Sequence, residues 1–469
     1  MTQLTVSTTS RDNVREHPRV VFVLTALGSF MAALDLSIVN VAFPDLEADF
    51  RGTKPAALAW VITAYSIVFG ALLVTGGRTG DRLGRRRTFE VGVAVFVTAS
   101  ALCGLAPNVG TLIAARALQG VGAAFLVPAS VALLIASVPA ERRTQMVALW
   151  GGIGALAVAT GPSLGAAIVS AGGWRWAFFV NLPVGLVVLA AGRRFLSESD
   201  RERGVARPDY AGVALVTMSV AAVVLAISEG PEWGWGDPRV WAALVLGVTV
   251  GALFVQRSRR HPAPVLDLAL FGDRTFSTAN AATLVYALAF FPMLLGNILF
   301  LTGVWEYTIM RAGLAVTPGP VVVAIIAGPA GKLAARTGFR WILLAGSLCM
   351  AAGLAWYAWQ VGADRSYVAV WLPGTLLVGV GIGLTFPVLS AASVSSLPAH
   401  RYAVGSAVNQ TARQVGGALG IAVLVAIVGA GVASGAGVTD FHHLWLWSAG
   451  AAVASGLIGA TIPRPTPSL

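Results

Sequence analysis

The chain has 469 residues, of which 56% are hydrophobic and 11% are charged, and its mean hydropathy is +0.77. A water-soluble globular protein of this length cannot cover its surface with so few charged side chains, so that class is excluded. The net charge of +11 could suggest a nucleic-acid partner, but the arginines lie in short segments between apolar runs, where they set membrane orientation. The composition therefore predicts a polytopic membrane protein with no nucleic-acid partner.

Apolar runs separated by Gly, Pro or charge clusters predict fourteen membrane-spanning helices, because each run is close to the ~20 residues that cross a bilayer. Basic residues concentrate in every second connecting segment, which predicts that both termini are cytoplasmic and favours an even number of spans. We expect a multi-pass protein of the cell membrane, and the preference for arginine over lysine is typical of a GC-rich bacterium. The predicted spans are 20–43, 57–76, 89–106, 111–136, 145–170, 177–192, 210–228, 239–255, 276–301, 312–331, 341–360, 367–394, 403–430 and 444–462.

A short internal repeat divides the chain. The segment GRTGDRLGR at 77–85 returns as GKLAARTGF at 331–339, an offset of 254 residues, each time on the cytoplasmic side after a predicted span. Two copies of a six-helix unit with a site between them are the architecture of secondary transporters. The predicted parts are a cytoplasmic tail at 1–19, a first bundle at 20–194, a linker with two extra helices at 195–275, a second bundle at 276–462 and a cytoplasmic tail at 463–469.

Asp35 and Arg116 are charged residues deep inside predicted spans. Asp35 lies ~22 Å from the cytoplasmic edge of the first span at 1.5 Å per residue, and Arg116 lies at nearly the same depth in the fourth. A charge at this depth costs at least ~2.5 to 3.5 kcal/mol, so it is usually functional. We expect an ion pair in which Asp35 gains and loses a proton during transport. A permanent pair that only locks two helices together is the alternative.

Several further segments carry motifs in chain order: LDLSIVNVAFP (34–44), WVITAY (60–65), GRTGDRLGRRR (77–87), RALQGVGAA (116–124), GPSLG (161–165) and GWRWAFFVNLPVG (173–185). Together with the fourteen spans they resemble the drug:proton antiporters of the major facilitator superfamily, EmrB/QacA type, over nearly the whole chain. The resemblance implies an all-α integral membrane protein of two six-helix bundles plus two inserted helices.

The same resemblance implies an activity. The chain is expected to be a proton-coupled antiporter that exports amphipathic drugs or antibiotics by alternating access, in which two bundles rock about a central cavity. Its expected partners are a small amphipathic or apolar substrate, protons and membrane lipids. We expect a monomer, with no cofactor besides the proton gradient and no metal.

In that family the loop between the second and third helices works as a latch that holds the cytoplasmic side shut. Glycines allow a tight turn there, and arginines bind carboxylates or lipid phosphates. A simple orientation signal is the alternative. In the second copy Ala335 takes the place of the acidic residue, so we expect a latch in the first half only. The resemblance assigns this role to Gly77, Gly80, Asp81, Arg82, Gly84, Arg85 and Arg86.

The fifth predicted helix carries the family's antiporter motif at Gly154, Gly161, Pro162 and Gly165. These residues permit a bend and close packing, and we expect the packing to be against a helix of the other half. A permanently kinked structural helix fits the same residues.

Polar and aromatic residues within spans are candidates for lining the substrate cavity. Asn40 belongs to the family signature, although a hydrogen bond between helices would also explain it. Arg413 lies roughly 16 Å from the cytoplasmic edge, which indicates a cavity or a buried partner, with structural anchoring as the alternative. With one deep acid and two deep arginines, neutral or weakly anionic substrates are favoured over strong cations. The candidates are Asn40, Trp60, Tyr65, Gln119, Phe125, Asn409, Gln410 and Arg413.

The two extra spans carry no deep charge, and we expect them to be peripheral and silent in coupling. The hydrophilic linker SESDRERGVARPDY (197–210) precedes them, and Asp209 at its end is expected to cap the seventh span.

Two other functions stay open from the sequence. A proton-coupled symporter that imports a nutrient or metabolite would use the same scaffold, and the direction of counterflow separates it from an exporter. A membrane-embedded enzyme would need an acid–base or metal constellation, which the histidines do not offer, so we expect no enzyme. The histidines are His17, His261 and His400 in cytoplasmic segments and His442 and His443 in a predicted outer loop.

Overall fold

The structure, a computed structural model, describes residues 18–198, 209–262, 264–397, 402–429 and 437–463. Within these residues the secondary structure consists of helices joined by short turns. The helices are α1 (Pro18–Asp49), α2 (Pro55–Leu83), α3 (Arg85–Gly104), α4 (Val109–Ala136), α5 (Ala140–Gly172), α6 (Trp176–Phe179), α7 (Asn181–Phe195), α8 (Tyr210–Trp233), α9 (Pro238–Arg260), α10 (Arg274–Gly303), α11 (Ile309–Val316), α12 (Pro318–Thr337), α13 (Arg340–Gln360), α14 (Leu372–Ser395), α15 (Tyr402–Val428) and α16 (Val438–Ala460). A 3-10 turn at Leu268–Gly272 precedes α10, and a π-helical turn at Tyr367–Trp371 precedes α14.

Twelve segments of the described chain are long and apolar enough to cross a membrane. They are α1 to α4, α6 with α7, α8 to α10, α11 with α12, α13, α14 with its preceding turn, and α15. This confirms an all-α protein with many membrane spans. The helices α5 and α16, with 33 and 23 residues, match the predicted spans 145–170 and 444–462 but are not among the twelve. The predicted count of fourteen therefore stays a prediction.

Local sequence decides where several helices begin. Pro55 and Pro238 occupy the first positions of α2 and α9, where a missing amide proton costs nothing. Asn108 and Asp273 accept hydrogen bonds from free amides at the starts of α4 and α10. The predicted cap at Asp209 is confirmed, because its carboxylate accepts from the amide of the third residue of α8.

The pairing of helices repeats along the chain. In the segment α1 to α7, which we call the first half, α2 and α3 pack on α4, while α1 packs on α5 and α7. In α10 to α16, the second half, α12 and α13 pack on α14, while α10 packs on α15 and α16. The turns Gly84 and Gly338 have φ of 109° and 86°, a conformation that favours glycine. They occupy the same place in the two copies of the repeated motif.

The two halves meet along α2 and α15, and along α5 with α11 and α12. At the first seam Thr411 donates to the carbonyl oxygen of Gly70 at 2.7 Å. A Cβ atom at Gly70 would lie 2.9 Å from the Cβ of Gln414, so glycine lets the two backbones approach. Val74 extends this seam toward the C-terminal end of α2, where it packs with Val408.

The first inserted helix is less peripheral than expected. α8 packs on both α2 and α15, and Val224 lies in a buried cluster with Ile67 and Ala418. At the C-terminal end of α8, Glu232 forms a hydrogen-bonded ion pair with Lys54, and this hydrogen bond raises the pKa of Lys54. α9 packs on α8 and exposes apolar side chains on its other face. The insert therefore contacts both halves through α8.

Candidate functional site

A buried ion pair joins α1 and α4. Both Asp35 and Arg116 are 0% exposed, and Nη1 of Arg116 lies 2.5 Å from Oδ2 of Asp35. The predicted pairing of the two deep charges is therefore present in the structure.

The second oxygen of Asp35 accepts two further hydrogen bonds. Oδ1 accepts hydrogen bonds from Nε2 of Gln119 at 2.8 Å and from Nδ2 of Asn181 at 3.0 Å. Both amides also donate to the hydroxyl of Ser100, at 2.7 and 3.0 Å. The carboxylate thus receives side-chain donors from α4 and α7, and Ser100 on α3 completes the group.

Arg116 is tied to further groups besides Asp35. Its Nε donates to the carbonyl oxygen of Val61 at 2.9 Å, and its Nη1 donates to Oε1 of Gln119 at 2.5 Å. Its guanidinium carbon lies 4.4 Å from the ring centre of Tyr65, a cation–π distance. Its Nη2 is buried without a hydrogen-bond partner. One network therefore connects α1, α2, α3, α4 and α7.

The geometry around Asp35 fixes its hydrogen-bonding environment. Every described group that contacts the oxygens of Asp35 is a donor. An ionised carboxylate accepts at all its lone pairs, whereas a protonated one carries an O–H that needs an acceptor. A proton on Asp35 would meet no described acceptor, and it would remove the charge that balances Arg116. The donors lie on α4 and α7, so a change at Asp35 would reach the packing of these helices on α1.

Ser100 and Asn181 were not among the site residues expected from the sequence. Asn181 could have been noticed, because it is a polar residue inside a predicted span and inside a segment that resembles the family motif. Ser100 offered no such signal, since serine is common in membrane helices and often bonds its own backbone.

The first-half cavity candidates divide between the network and the protein core. Gln119 and Tyr65 are 0% exposed and belong to the network around Asp35, not to an open cavity. Asn40 donates to the carbonyl oxygen of Leu36 on its own helix at 2.6 Å, and its Oδ1 is buried without a partner. Phe125 packs against the apolar core of the first half. Trp60 packs against the cluster that joins α2, α8 and α15.

The second-half candidates lie together on α15. Asn409 donates to the hydroxyl of Thr283 at 2.8 Å and to Oδ1 of Asn280 at 3.3 Å, so it ties α15 to α10. Gln410, the next residue, is partly exposed. Arg413 is also partly exposed as a residue, and its guanidinium carbon lies 5.7 Å from the ring centre of Phe386 on α14.

The antiporter motif contacts mainly its own half, contrary to expectation. A Cβ atom at Gly161 would overlap Ser37, and one at Gly165 would lie 3.1 Å from Ile38, so both glycines bring α5 against α1. Contact with the other half comes from Pro162, whose carbonyl oxygen would be 2.5 Å from a Cβ at Gly313 of α11. The packing around Gly154 lies outside the described part of the structure.

The hydroxyl of Ser163 supplies a second link between the halves on α5. It lies 3.2 Å from that of Thr317, between α11 and α12. This residue was not singled out from the sequence. Gly161 and Gly165 therefore pack α5 against α1 within the first half, whereas Pro162 and Ser163 contact the second half.

The latch motif is mostly helix. Gly77 and Gly80 lie in the last turns of α2 together with Arg82, and Gly84 alone makes the turn to α3. The prediction that the whole motif forms a loop is therefore wrong, because α2 continues through it. The side chain of Asp81 lies outside the described residues.

Arg86 of the motif contacts neighbours in α3 and α7. Nε of Arg86 donates to Glu90 at 2.8 Å, and its Nη2 donates to the carbonyl oxygen of Arg193 at 2.9 Å. Glu198 accepts from the backbone amides of Arg86 and Arg87 at 3.1 and 3.2 Å, a favourable place for an anion at the start of α3. Arg85 occupies the first position of α3. The latch function itself stays a prediction.

His442 and His443 lie in α16, not in an outer loop as expected from the sequence. Nε2 of His442 is 2.7 Å from the carbonyl oxygen of Val361, which fastens the start of α16 to the end of α13. Among the residues that the structure describes, no group of three or more His, Cys, Asp or Glu could hold a metal ion.

Comparison with known proteins gives consistent matches. A sequence model of the Major Facilitator Superfamily matches residues 25–421. The chain is 35% identical over 409 residues to the Multidrug resistance protein Stp of Mycobacterium tuberculosis, covering 87% of this chain and 75% of that protein. It is 31% identical over 421 residues to the Tetracenomycin C resistance and export protein of Streptomyces glaucescens, covering 89% and 77%.

A solved structure shares the fold. The crystal structure of a D-xylose-proton symporter aligns over 95% of this chain and 98% of that chain, with a TM-score of 0.68 and 15% sequence identity. At this identity the likeness concerns the fold alone.

Proposed function

This chain belongs to the Major Facilitator Superfamily, and we propose that it exports amphipathic drugs or antibiotics across the cell membrane in exchange for protons. Relatives named for multidrug resistance and for antibiotic export support drug efflux. The single observation that carries proton coupling is the fully buried Asp35, held by donors only.

We propose the fourteen-helix architecture of the EmrB/QacA type for its membrane topology. α5 and α16 supply the two further spans, because α5 packs along α1 and α16 packs along α10. The first half then spans residues 20–194 and the second 276–462, with α8 and α9 inserted between them. The alternation of basic segments supports cytoplasmic termini.

In the proposed cycle, a proton from outside binds Asp35 and neutralises the charge that holds the donors of the buried network. The halves then tilt along the seams that α2 and α5 make with the second half, where Gly70 and Gly313 permit close backbone contact. One proton crossing ~150 mV yields ~3.5 kcal/mol. At ~1.4 kcal/mol per factor of ten, this supports a gradient of about 300-fold for a neutral substrate. One titrating carboxylate is sufficient.

The decisive test compares Asp35→Asn with wild type in everted membrane vesicles that are acidified inside. Wild type should accumulate a fluorescent drug as protons leave, and Asp35→Asn should show no accumulation, because the amide cannot carry a proton. Binding of the drug by the purified variant shows that it is folded. The matched control is Asp237→Asn, which removes a partly exposed carboxylate whose pKa is held low by hydrogen bonds from Arg239.

Full active accumulation by Asp35→Asn would end the proposal that this carboxylate carries the proton. Drug movement in the same direction as the protons, instead of against them, would identify a symporter.

A further inference from the structure

Arg413 is a deep cation that no described acid neutralises. It lies in the middle of α15, about 16 Å along the helix from Tyr402. Its Nε is buried without a hydrogen-bond partner, and none of the described carboxylates forms an ion pair with it. The residue as a whole keeps partial exposure. A buried guanidinium normally pairs with an anion, so this one is available to a ligand.

Aromatic rings stand next to this cation. The guanidinium carbon is 5.7 Å from the ring centre of Phe386. Phe386 in turn makes edge contacts with Tyr286 and Phe290, at 4.9 and 5.2 Å between ring centres. Phe386 and Phe290 are only partly buried. These rings form an apolar wall on which a flat aromatic ligand can stack.

The same turn of α15 faces the seam between the halves. Gln414 lies against Gly70 of α2 and is 1% exposed, yet neither its oxygen nor its nitrogen has a hydrogen-bond partner. An unpaired buried amide is unfavourable, and a polar ligand can supply the missing hydrogen bonds. A ligand bound at Arg413 therefore lies beside a contact that changes when the halves tilt.

The buried charges of the two halves predict the charge of the ligand. In the first half, Asp35 and Arg116 cancel each other and are 0% exposed, so Asp35 is not open to a cationic drug. Arg413 leaves one positive charge in the low-dielectric interior, which attracts an anion and repels a cation. A hydrogen bond to a charged group contributes about 1.5–3 kcal/mol, or roughly 10- to 150-fold in affinity.

We propose that Arg413 is a substrate-binding residue that recognises an anionic oxygen, a carboxylate, phenolate or enolate, on an aromatic molecule stacked against Phe386. This assignment rests on the proposed export function and adds the chemical class of its substrate. Proton and substrate then bind in different halves, so they are coupled through the tilt of the halves and do not compete for one carboxylate.

The test measures equilibrium binding of three fluorescent probes to the purified protein in lipid nanodiscs. The probes share one fluorophore and differ in charge: dansylglycine is anionic, dansylglycinamide neutral and dansylethylenediamine cationic. Wild type should bind the anionic probe at least about tenfold more tightly than the neutral one, and the cationic probe most weakly.

Arg413→Gln should reduce the preference for the anion to about twofold or less while leaving the affinity for the neutral probe nearly unchanged. Arg413→Lys should keep much of the preference, since it keeps the charge. Arg365→Gln is the matched control and should bind as wild type, because Arg365 pairs with Glu306 on the outer side. Thermal unfolding of each variant shows that it is folded.

A wild type without anion preference, or an Arg413→Gln variant that keeps it, would overturn the assignment. Proton-driven export of the neutral probe tests the proposed function separately. If the anion preference depends on Arg413 but no probe is exported, the export proposal fails and the binding assignment stands.

Discussion

The two halves of this protein each place an arginine deep in the membrane, but they surround it differently. Arg116 in the first half contacts Asp35, Gln119 and a backbone carbonyl, all fully buried. Arg413 in the second half contacts an aromatic ring and no described acid. The first arginine is balanced by a buried carboxylate, whereas no described acid balances the second. This difference is the basis for proposing that proton binding and substrate binding are divided between the halves.

The two arginines are not counterparts in the repeat. In the repeated pattern of helix pairing, α14 takes the place of α4, which carries Arg116. Arg413 instead lies on α15, the counterpart of α5. The repeat therefore preserves backbone packing and turns such as Gly84 and Gly338, while the chemistry of each half is its own.

The largest expected difference between the halves concerns stability. Arg116→Ala leaves Asp35 buried without its cation and should lower the free energy of unfolding by about 3–5 kcal/mol. Arg413→Ala leaves no acid without its partner. It should lower the free energy of unfolding by less than about 1 kcal/mol, because only a ring contact is lost. Denaturant unfolding in mild detergent measures both values. The double variant Asp35→Asn with Arg116→Gln should recover most of the loss, since no unpaired charge remains. Equal losses of stability in the two alanine variants would show that the ion pair of Arg116 contributes no more than the ring contact of Arg413.

A smaller effect is expected from packing in the first half. Gly161→Ala places a methyl group onto Ser37 of α1 and should destabilise the protein by about 1–3 kcal/mol. Gly328→Ala on α12 is the matched control, because nothing lies within 4 Å of its added Cβ. That variant should be neutral or gain up to about 1 kcal/mol from helix propensity. A neutral Gly161→Ala variant would show that α1 and α5 separate more easily than the contact suggests.

The smallest expected effects come from removing one polar side chain in each half. Asn181→Ala removes one donor to Asp35 and should cost about 0.5–1.5 kcal/mol. It should also shift the pH profile of transport, because the ionised carboxylate loses a hydrogen bond. Asn409→Ala should cost a similar amount through its lost bond to Thr283, with an unchanged pH profile. Parallel transport assays across pH compare the two, and a shift in both variants would argue against separate proton and substrate sites.

Much of the site was predictable because charge in a membrane is costly. The depth of Asp35 and Arg116 was enough to predict their ion pair, and the depth of Arg413 marked it as unusual. The sequence predicted Gln119 and Tyr65 as cavity residues, and the structure buries both in the network around Asp35. Helix spacing shows which residues share a face but not which neighbour that face meets. Asn181 and Ser100 joined the site through packing of α7 and α3 on the same core.

The sequence by itself determined that the chain forms membrane helices, because lipid offers no partner for backbone polar groups and apolar runs must satisfy them internally. It also determined which few charges lie deep. Only the tertiary structure decided that Asp35 meets donors alone, that Arg413 meets aromatic rings, and that α8 contacts both halves. These contacts depend on the rotation and tilt of helices far apart in the chain, which side chains settle by packing against one another.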